Sequence, residues 1–141
     1  MMRILSLDVG EKRIGVAMSD PMGILASPLT QINRTGTKAA IEAILDLVRQ
    51  HEVELIVAGM PYLMNGNIGQ QAMLVRNFLQ KLSAHMDIPI EIWDERYTTV
   101  AAEGKMIEAG VRKEKRKKHI DAAAATIILQ EYLDTVHTEQ R

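Results

Sequence analysis

The amino-acid sequence predicts an α/β fold in which a mixed five-stranded sheet is flanked by helices. Three observations indicate this class. The chain opens with three short apolar segments of strand length, two later apolar runs alternate with segments of helical periodicity, and the chain ends on helical patterns. The order β-β-β-α-β-α-β-α-α contains two β-α-β crossovers, which make strands one, four and five parallel and central.

The first three strands form a predicted meander. Residues 3–9 and 13–19 are apolar segments on either side of a turn at residues 10–12. A third strand is predicted over residues 24–32. It contains Pro28, which has no amide hydrogen to donate and therefore favours the edge of the sheet.

The rest of the chain alternates helices and strands within one predicted domain, residues 1–141. The predicted elements are, in order, a helix from a cap at 35–37 to about residue 51, a strand over 54–59, a helix over about 70–86, a strand over about 88–94, a helix from Thr98 or Thr99 to Gly110, and a helix over about 119–136. The basic segment 112–118 is predicted to be a loop.

The composition excludes several classes of protein. Of the 141 residues, 47% are hydrophobic and 25% are charged, which is typical of a globular domain. The chain has no cysteine, which excludes disulfides, thiolate zinc sites and cysteine nucleophiles. No apolar run approaches the roughly 18 residues that cross a membrane, and the N-terminus lacks the pattern of a signal peptide. We therefore expect a cytoplasmic protein with no membrane contact.

Positive charge is concentrated in one segment. Seven Lys or Arg and two Glu lie between Lys105 and Lys118, which gives +5, whereas the rest of the chain carries −6. A local basic patch on an acidic protein favours contacts with nucleic-acid phosphates, and its alternative is a solvated loop. The candidate phosphate-binding residues of this patch are Arg112, Lys113, Lys115, Arg116, Lys117 and Lys118.

Four acidic residues are predicted to meet at one edge of the sheet. Asp8 lies near the end of strand one, Asp94 and Glu95 lie at the end of strand five, and Asp121 begins the last helix before four alanines. Ligands of open α/β sheets bind beyond the carboxyl ends of the parallel strands. Small alanine side chains let a helix pack closely, so Asp121 is expected at this edge too.

Converging carboxylates repel one another unless a hard cation such as Mg²⁺ or Mn²⁺ neutralises them. We therefore interpret Asp8 as a metal ligand. The alternatives are that Asp8 accepts turn hydrogen bonds and that Asp121 is a helix cap. Strand alternation places Asp94 and Glu95 on opposite faces of the sheet but does not choose between them as ligands.

Four motifs resemble one known family in order and spacing. The segments LSLDVGEKRIGVAMSD, VAGMPYLMNG, WDERYTT and HIDAAAATIIL are similar to the YqgF/RuvX family of Holliday junction resolvases and pre-16S rRNA nucleases. The resemblance covers residues 3–133 and implies an RNase H-like fold with strand order 3-2-1-4-5. It also implies that Asp8, Glu95 and Asp121 are the catalytic and metal-binding acids, with Asp94 beside them.

Further candidate substrate-binding residues are Lys12, Arg13, Asn65, Arg96 and Thr98. Each has a structural alternative, such as a charge on the hairpin surface or a helix cap. We expect a metal-dependent endonuclease acting on structured nucleic acid, either pre-16S rRNA or a branched DNA junction, as a monomer or homodimer. The alternatives are a nucleic-acid-binding factor without activity and a nucleotide-binding protein, although 141 residues provide only one of the two domains that enclose ATP in sugar kinases.

Overall fold

A computed structural model of the chain describes residues 2–95 and 113–139, with side chains described for residues 2–95 and 123–137. The elements in these ranges are β1 (Ile4–Val9), β2 (Arg13–Ser19), β3 (Ala26–Asn33), α1 (Thr37–Gln50), β4 (Leu55–Met60), α2 (Gln70–Ser83), β5 (Ile90–Asp94) and α3 (Lys113–Glu139). Within the same ranges, no helix is both long and apolar enough to cross a membrane. The predicted helix from Thr98 or Thr99 to Gly110 lies outside the described residues.

The five strands form one sheet in the order β3-β2-β1-β4-β5. The β1–β4 and β4–β5 pairs are parallel, and the β1–β2 and β2–β3 pairs are antiparallel. This confirms the predicted mixed sheet, with β1 and β4 parallel and at its centre. The prediction that the fifth strand is central was wrong, because β5 pairs only with β4 and forms an edge of the sheet. Pro28 lies in the edge strand β3, beside a register shift between Val16 and Ala17, as expected for a residue without an amide donor.

Two boundaries differ from the prediction for a local reason. β3 begins at Ala26 instead of residue 24 because Asp20 holds the preceding residues in a turn. One carboxylate oxygen of Asp20 accepts hydrogen bonds from the amides of Ile24 and Leu25, at 2.7 and 3.1 Å. β5 begins at Ile90 instead of residue 88, directly after Pro89, whose carbonyl accepts a hydrogen bond from Ile56. The sheet itself is unchanged by these shifts.

The prediction of a basic loop at residues 112–118 was wrong for the part that the structure describes. Residues 113–118 form the first turns of α3, which begins at Lys113 instead of residue 119. The run has no apolar periodicity, so pattern alone favours a loop. Lys, Arg and Glu nevertheless have good intrinsic helix propensity, and a helix already established over the following alanines can extend through them.

The sheet separates two hydrophobic cores. Leu5, Leu7 and Val9 pack with residues of α1 and α2 on one face, and Ile4 packs with residues of α3 on the other. Because side chains alternate along a strand, Ser6 and Asp8 share the α3 face with Ile4. The α3 face is therefore where the first candidate acid lies.

Small residues bring α3 close to the sheet. Ala124 and Ala125 are fully buried, and the buried hydroxyl of Ser6 donates a 2.7 Å hydrogen bond to the carbonyl of Ala125. Ile4 and Leu133 line a common cavity further along. The helix thus runs antiparallel to β1, and its N-terminal turns lie toward the end of β1 that carries Asp8.

Candidate active site

Asp8 is a half-buried residue at the end of the central strand β1. It pairs with Gly15 of β2, and it follows Leu7, which pairs with Ala58 of β4. The parallel register therefore places Asp8 beside Gly59, about 4.8 Å away across the sheet. The pairing of Asp8 with β2, and of the preceding residue Leu7 with β4, positions this residue at the edge where ligands of such sheets bind.

Glu95 directly follows β5, and its amide donates a 3.3 Å hydrogen bond to the carbonyl of Met60. Its carboxylate lies over Gly59, next to Ile128 of α3. A Cβ atom at Gly59 would overlap Oε2 of Glu95 and would lie 2.6 Å from Cδ1 of Ile128. Asp8 and Glu95 therefore flank one backbone position on the α3 face of the sheet.

Trp93 of β5 lies on the face of the sheet that α3 covers. The indole Nε1 of Trp93 donates a 3.3 Å hydrogen bond to Glu131 of α3, and its ring meets Tyr132 edge-on, with centroids 6.0 Å apart. Strand alternation predicts that Glu95 shares the face of Trp93. The position of Glu95 beside Ile128 confirms this prediction.

Glu95 has an unusual electrostatic environment. Burial raises the pKa of its carboxyl group from 4.5 to about 7, with a smaller contribution from the negative charge of Asp94. Within the part of the chain that the structure describes, Oε2 of Glu95 is buried and has no hydrogen-bond partner. A buried carboxylate without a partner is costly in its charged form. Perturbed acids of this kind concentrate at functional sites.

Position 121 lies on α3 one turn before Ala125, whose carbonyl contacts Ser6. Moving from Ala125 to residue 121 advances about 6 Å along the helix. Moving from Ser6 to Asp8 advances about 7 Å along the strand in the same direction. The backbone of residue 121 is therefore at the level of Asp8, whereas the side chain of Asp121 is outside the described set.

The donor set of this edge suits a hard divalent cation. Asp8 and Glu95 offer carboxylate oxygens, and one oxygen of Glu95 is buried without a partner among the described residues. Among the side chains that the structure describes, no three His, Cys, Asp or Glu residues form a metal-binding group. The side chain of Asp121 lies outside this described set, so the third ligand stays a prediction.

The remaining candidate residues divide into three groups. Lys12 is exposed and Arg13 is half-buried in the β1–β2 hairpin, which is closed by a 2.8 Å hydrogen bond from the Gly10 amide to the Arg13 carbonyl. Asn65 is exposed in the loop after β4, where its side-chain oxygen accepts a 2.9 Å hydrogen bond from the amide of Asn67. The third group, Arg96, Thr98 and Arg112, lies outside the described residues.

The basic positions of α3 lie at the same end of the molecule. Lys113, Lys115, Arg116, Lys117 and Lys118 occupy the first turns of the helix, before residue 121. This placement puts the candidate phosphate-binding positions at the same end of the molecule as the candidate acids, and their contact with phosphate stays a prediction.

Sequence reasoning missed two residues that shape the site. Ser6 joins β1 to α3 through Ala125, and Gly59 provides the space for Glu95. A small polar residue on the same strand face as Asp8 was a usable signal for Ser6. Nothing in the sequence connects Gly59 with Glu95 or with Ile128, because their contact depends on the packing of β4, β5 and α3.

Comparison with known proteins identifies relatives over nearly the whole chain. A family model described as RuvX, Holliday junction resolvase, matches residues 2–135. A Roseiflexus protein provisionally named a pre-16S rRNA nuclease is 51% identical over 133 residues, which cover 94% of each chain. A Clostridium novyi protein with the same provisional name is 46% identical over 135 residues, covering 96% of this chain and 100% of its own.

Solved structures share the fold at low sequence identity. Thermus thermophilus RuvC in complex with a Holliday junction substrate superposes with a TM-score of 0.62 at 11% identity, covering 96% of both chains. The fowlpox virus resolvase with Holliday junction DNA gives 0.61 at 12% identity, covering 96% of this chain and 99% of its own. These neighbours confirm the predicted RNase H-like fold, and the sheet described above has the predicted strand order 3-2-1-4-5.

The environment of Glu95 predicts a specific dependence of stability on pH. Because the folded pKa is raised from 4.5 to about 7, protonated Glu95 stabilises the fold fully below pH 4.5, and this contribution is lost as the pH rises through 7. Glu95→Gln removes the titration. The free energy of unfolding of Glu95→Gln relative to wild type should therefore rise by about 2 to 3 kcal/mol between pH 5 and pH 8.

Urea unfolding in the presence of a chelator measures this difference. The matched control is Glu91→Gln, which removes an exposed carboxylate of the same strand and so accounts for the general effect of losing one negative charge. A constant difference for Glu95→Gln would show that Glu95 is not the buried acid described above.

Proposed function

Because the chain belongs to the RuvX family, and is thus a nuclease that hydrolyses phosphodiester bonds, we propose that it is a divalent-metal-dependent endonuclease for structured nucleic acid. Its proposed biological role is the processing of pre-16S rRNA in ribosome biogenesis. The proposed site consists of Asp8, Glu95 and Asp121, with Mg²⁺ or Mn²⁺ as the cofactor. The proposed location is the cytoplasm.

The observation that carries this proposal is the buried carboxylate of Glu95 over Gly59, on the sheet face and edge where Asp8 also lies. Its pKa of about 7 keeps a substantial fraction protonated at neutral pH, since the charged form lacks a partner among the described residues. A bound cation would supply that partner and would displace the proton. Metal affinity should therefore increase with pH, as it does wherever a ligand must lose a proton to bind.

Each residue has a distinct role in the proposed mechanism. Asp8 offers a rigid oxygen from the central strand, Glu95 offers a desolvated oxygen from the α3 face, and Asp121 would approach from the helix. When bound, the divalent ions neutralise charge on the phosphate and lower the pKa of an attacking water. The chain contains no cysteine, and no side chain is needed as a nucleophile.

Pre-16S rRNA is the favoured substrate because the curated relatives at 46 to 51% identity carry that provisional name. The second candidate is a four-way DNA junction, which the description of the family model favours. Both substrates present phosphodiesters to the same carboxylates. Cleavage of a junction favours a symmetric homodimer with one site for each of two strands, whereas trimming of RNA requires only a monomer.

The three acids define the first test of this function. Asp8→Asn, Glu95→Gln and Asp121→Asn should each slow single-turnover cleavage at least about 100-fold, because each loses charge that stabilises the transition state through the metal. Cleavage of precursor 16S rRNA and of a four-way DNA junction is measured side by side with Mg²⁺ and with Mn²⁺. Asp87→Asn and Glu91→Gln, which change exposed acids, are the matched controls.

The outcomes of this test separate the hypotheses. Normal cleavage by one acid variant removes that acid from the mechanism. Cleavage of only the DNA junction would replace the rRNA proposal with junction resolution. A wild-type protein that binds either nucleic acid but cuts neither with several divalent ions would be a binding factor instead of a nuclease.

The basic start of α3 predicts a measurable salt dependence. Lys115→Gln, Lys117→Gln and Lys118→Gln, combined in one variant, should weaken binding to RNA and lower the slope of log affinity against log salt by about 1 for each lost phosphate contact. The fraction of helix should not fall, because Gln and Lys have similar helix propensities.

The control combines Lys38→Gln, Arg49→Gln and Lys81→Gln, which neutralises three exposed cations of α1 and α2. Fluorescence anisotropy with labelled RNA measures the affinities, and circular dichroism measures the helix. If the slope of log affinity against log salt fell equally in the two variants, the lysines at the start of α3 would contribute no more to phosphate binding than other exposed cations do.

A further inference from the structure

Gly59 is an unusual residue for its place in the fold. It lies within β4, a central strand in which every residue is buried, and it pairs in regular register with Trp93 of β5. Glycine in the interior of a strand costs up to about 1 kcal/mol relative to alanine, because it loses more backbone freedom on folding. Some other property of glycine is therefore needed at this position.

The backbone does not require glycine here. Gly59 is not among the glycines with positive φ that the described residues contain, which are Gly23 and Gly66. An L-residue can therefore adopt the backbone conformation of β4 at this point. The requirement must come from the space in front of the Cα atom.

That space is occupied by the second candidate acid. A Cβ at Gly59 would overlap Oε2 of Glu95, and it would lie 3.4 Å from the carboxyl carbon of Glu95 and 2.6 Å from Cδ1 of Ile128. Real Cβ atoms almost never lie as close to another atom as this Cβ would lie to Oε2 of Glu95 and to Cδ1 of Ile128. The carboxylate of Glu95 thus occupies the space that a side chain at position 59 would fill.

The same space adjoins Asp8. The register of β1 and β4 places Asp8 beside Gly59, and β5 brings Glu95 over the same position from the other side. We propose that Gly59 is a positioning residue, whose missing side chain lets the carboxylate of Glu95 stand beside Asp8 where both can bind one divalent cation. This inference rests on the proposed function and adds a residue that touches neither metal nor substrate.

Gly59→Ala tests the proposal without a foreseeable loss of the fold. Both atoms that the new methyl group would meet belong to the ends of flexible side chains, so Glu95 and Ile128 can move aside. We expect the variant to unfold at the same or a higher urea concentration than wild type. Its affinity for Mn²⁺ should fall at least about 10-fold by isothermal titration calorimetry, as supporting residues of metal sites typically contribute.

Two further variants separate the effect on Glu95 from general crowding. Adding Ile128→Val to Gly59→Ala relieves the contact with Cδ1 of Ile128 but not the overlap with Glu95, so Mn²⁺ affinity should stay low. Adding Glu95→Asp to Gly59→Ala withdraws the carboxylate by one methylene group. In the Gly59→Ala background, Glu95→Asp should therefore reduce Mn²⁺ affinity much less than it does in the wild-type chain.

A crystal structure of metal-free Gly59→Ala completes the test, and it should show the carboxylate of Glu95 displaced from its place beside Ile128. An Mn²⁺ affinity within twofold of wild type would overturn the proposal, as would recovery of affinity by Ile128→Val. Failure of the wild-type chain to bind Mn²⁺ would instead overturn the proposed function. In that case the crystal structure of Gly59→Ala alone would decide whether the missing side chain at Gly59 positions the Glu95 carboxylate.

Discussion

The cost of holding the Glu95 carboxylate out of water is the constraint on which the site depends. The carboxylate occupies a space that exists because β4 carries no side chain at Gly59 and because α3 brings Ile128 against the sheet. Such burial penalises the charged form, and the neighbouring charge of Asp94 adds to the penalty. A fold that depended on stability alone would place an apolar side chain there. A site that binds a cation gains from an oxygen that no other group in the described part of the chain satisfies.

Three packing features give this constraint its geometry. The parallel pairing of β1 with β4 sets Asp8 beside Gly59. The hydrogen bond from Ser6 to Ala125 sets the height of α3 along β1, and with it the level of residue 121. The continuation of α3 back to Lys113 then carries the basic positions to the same end of the molecule. The candidate phosphate-binding positions and the candidate acids therefore lie at one edge of the sheet.

The fold could be predicted from the sequence because its signals are local. Apolar runs and helical spacing gave the element order, Pro28 indicated an edge strand, and alternation put Glu95 on the Trp93 face. The start of α3 could not be predicted, because Lys115 and its neighbours carry no apolar stripe and their helix depends on the turns that follow. The role of Gly59 could not be predicted either, since it arises from the approach of Glu95 and Ile128 in space.

The most direct test of the account is the position of the metal itself. Crystals grown with Mn²⁺ locate the ion by its anomalous scattering. The proposed site predicts an anomalous peak in the space beside Gly59, with carboxylate oxygens of Asp8, Glu95 and Asp121 about 2 Å from bound Mn²⁺. The absence of any peak there, at a Mn²⁺ concentration that supports cleavage of RNA in solution, would contradict it.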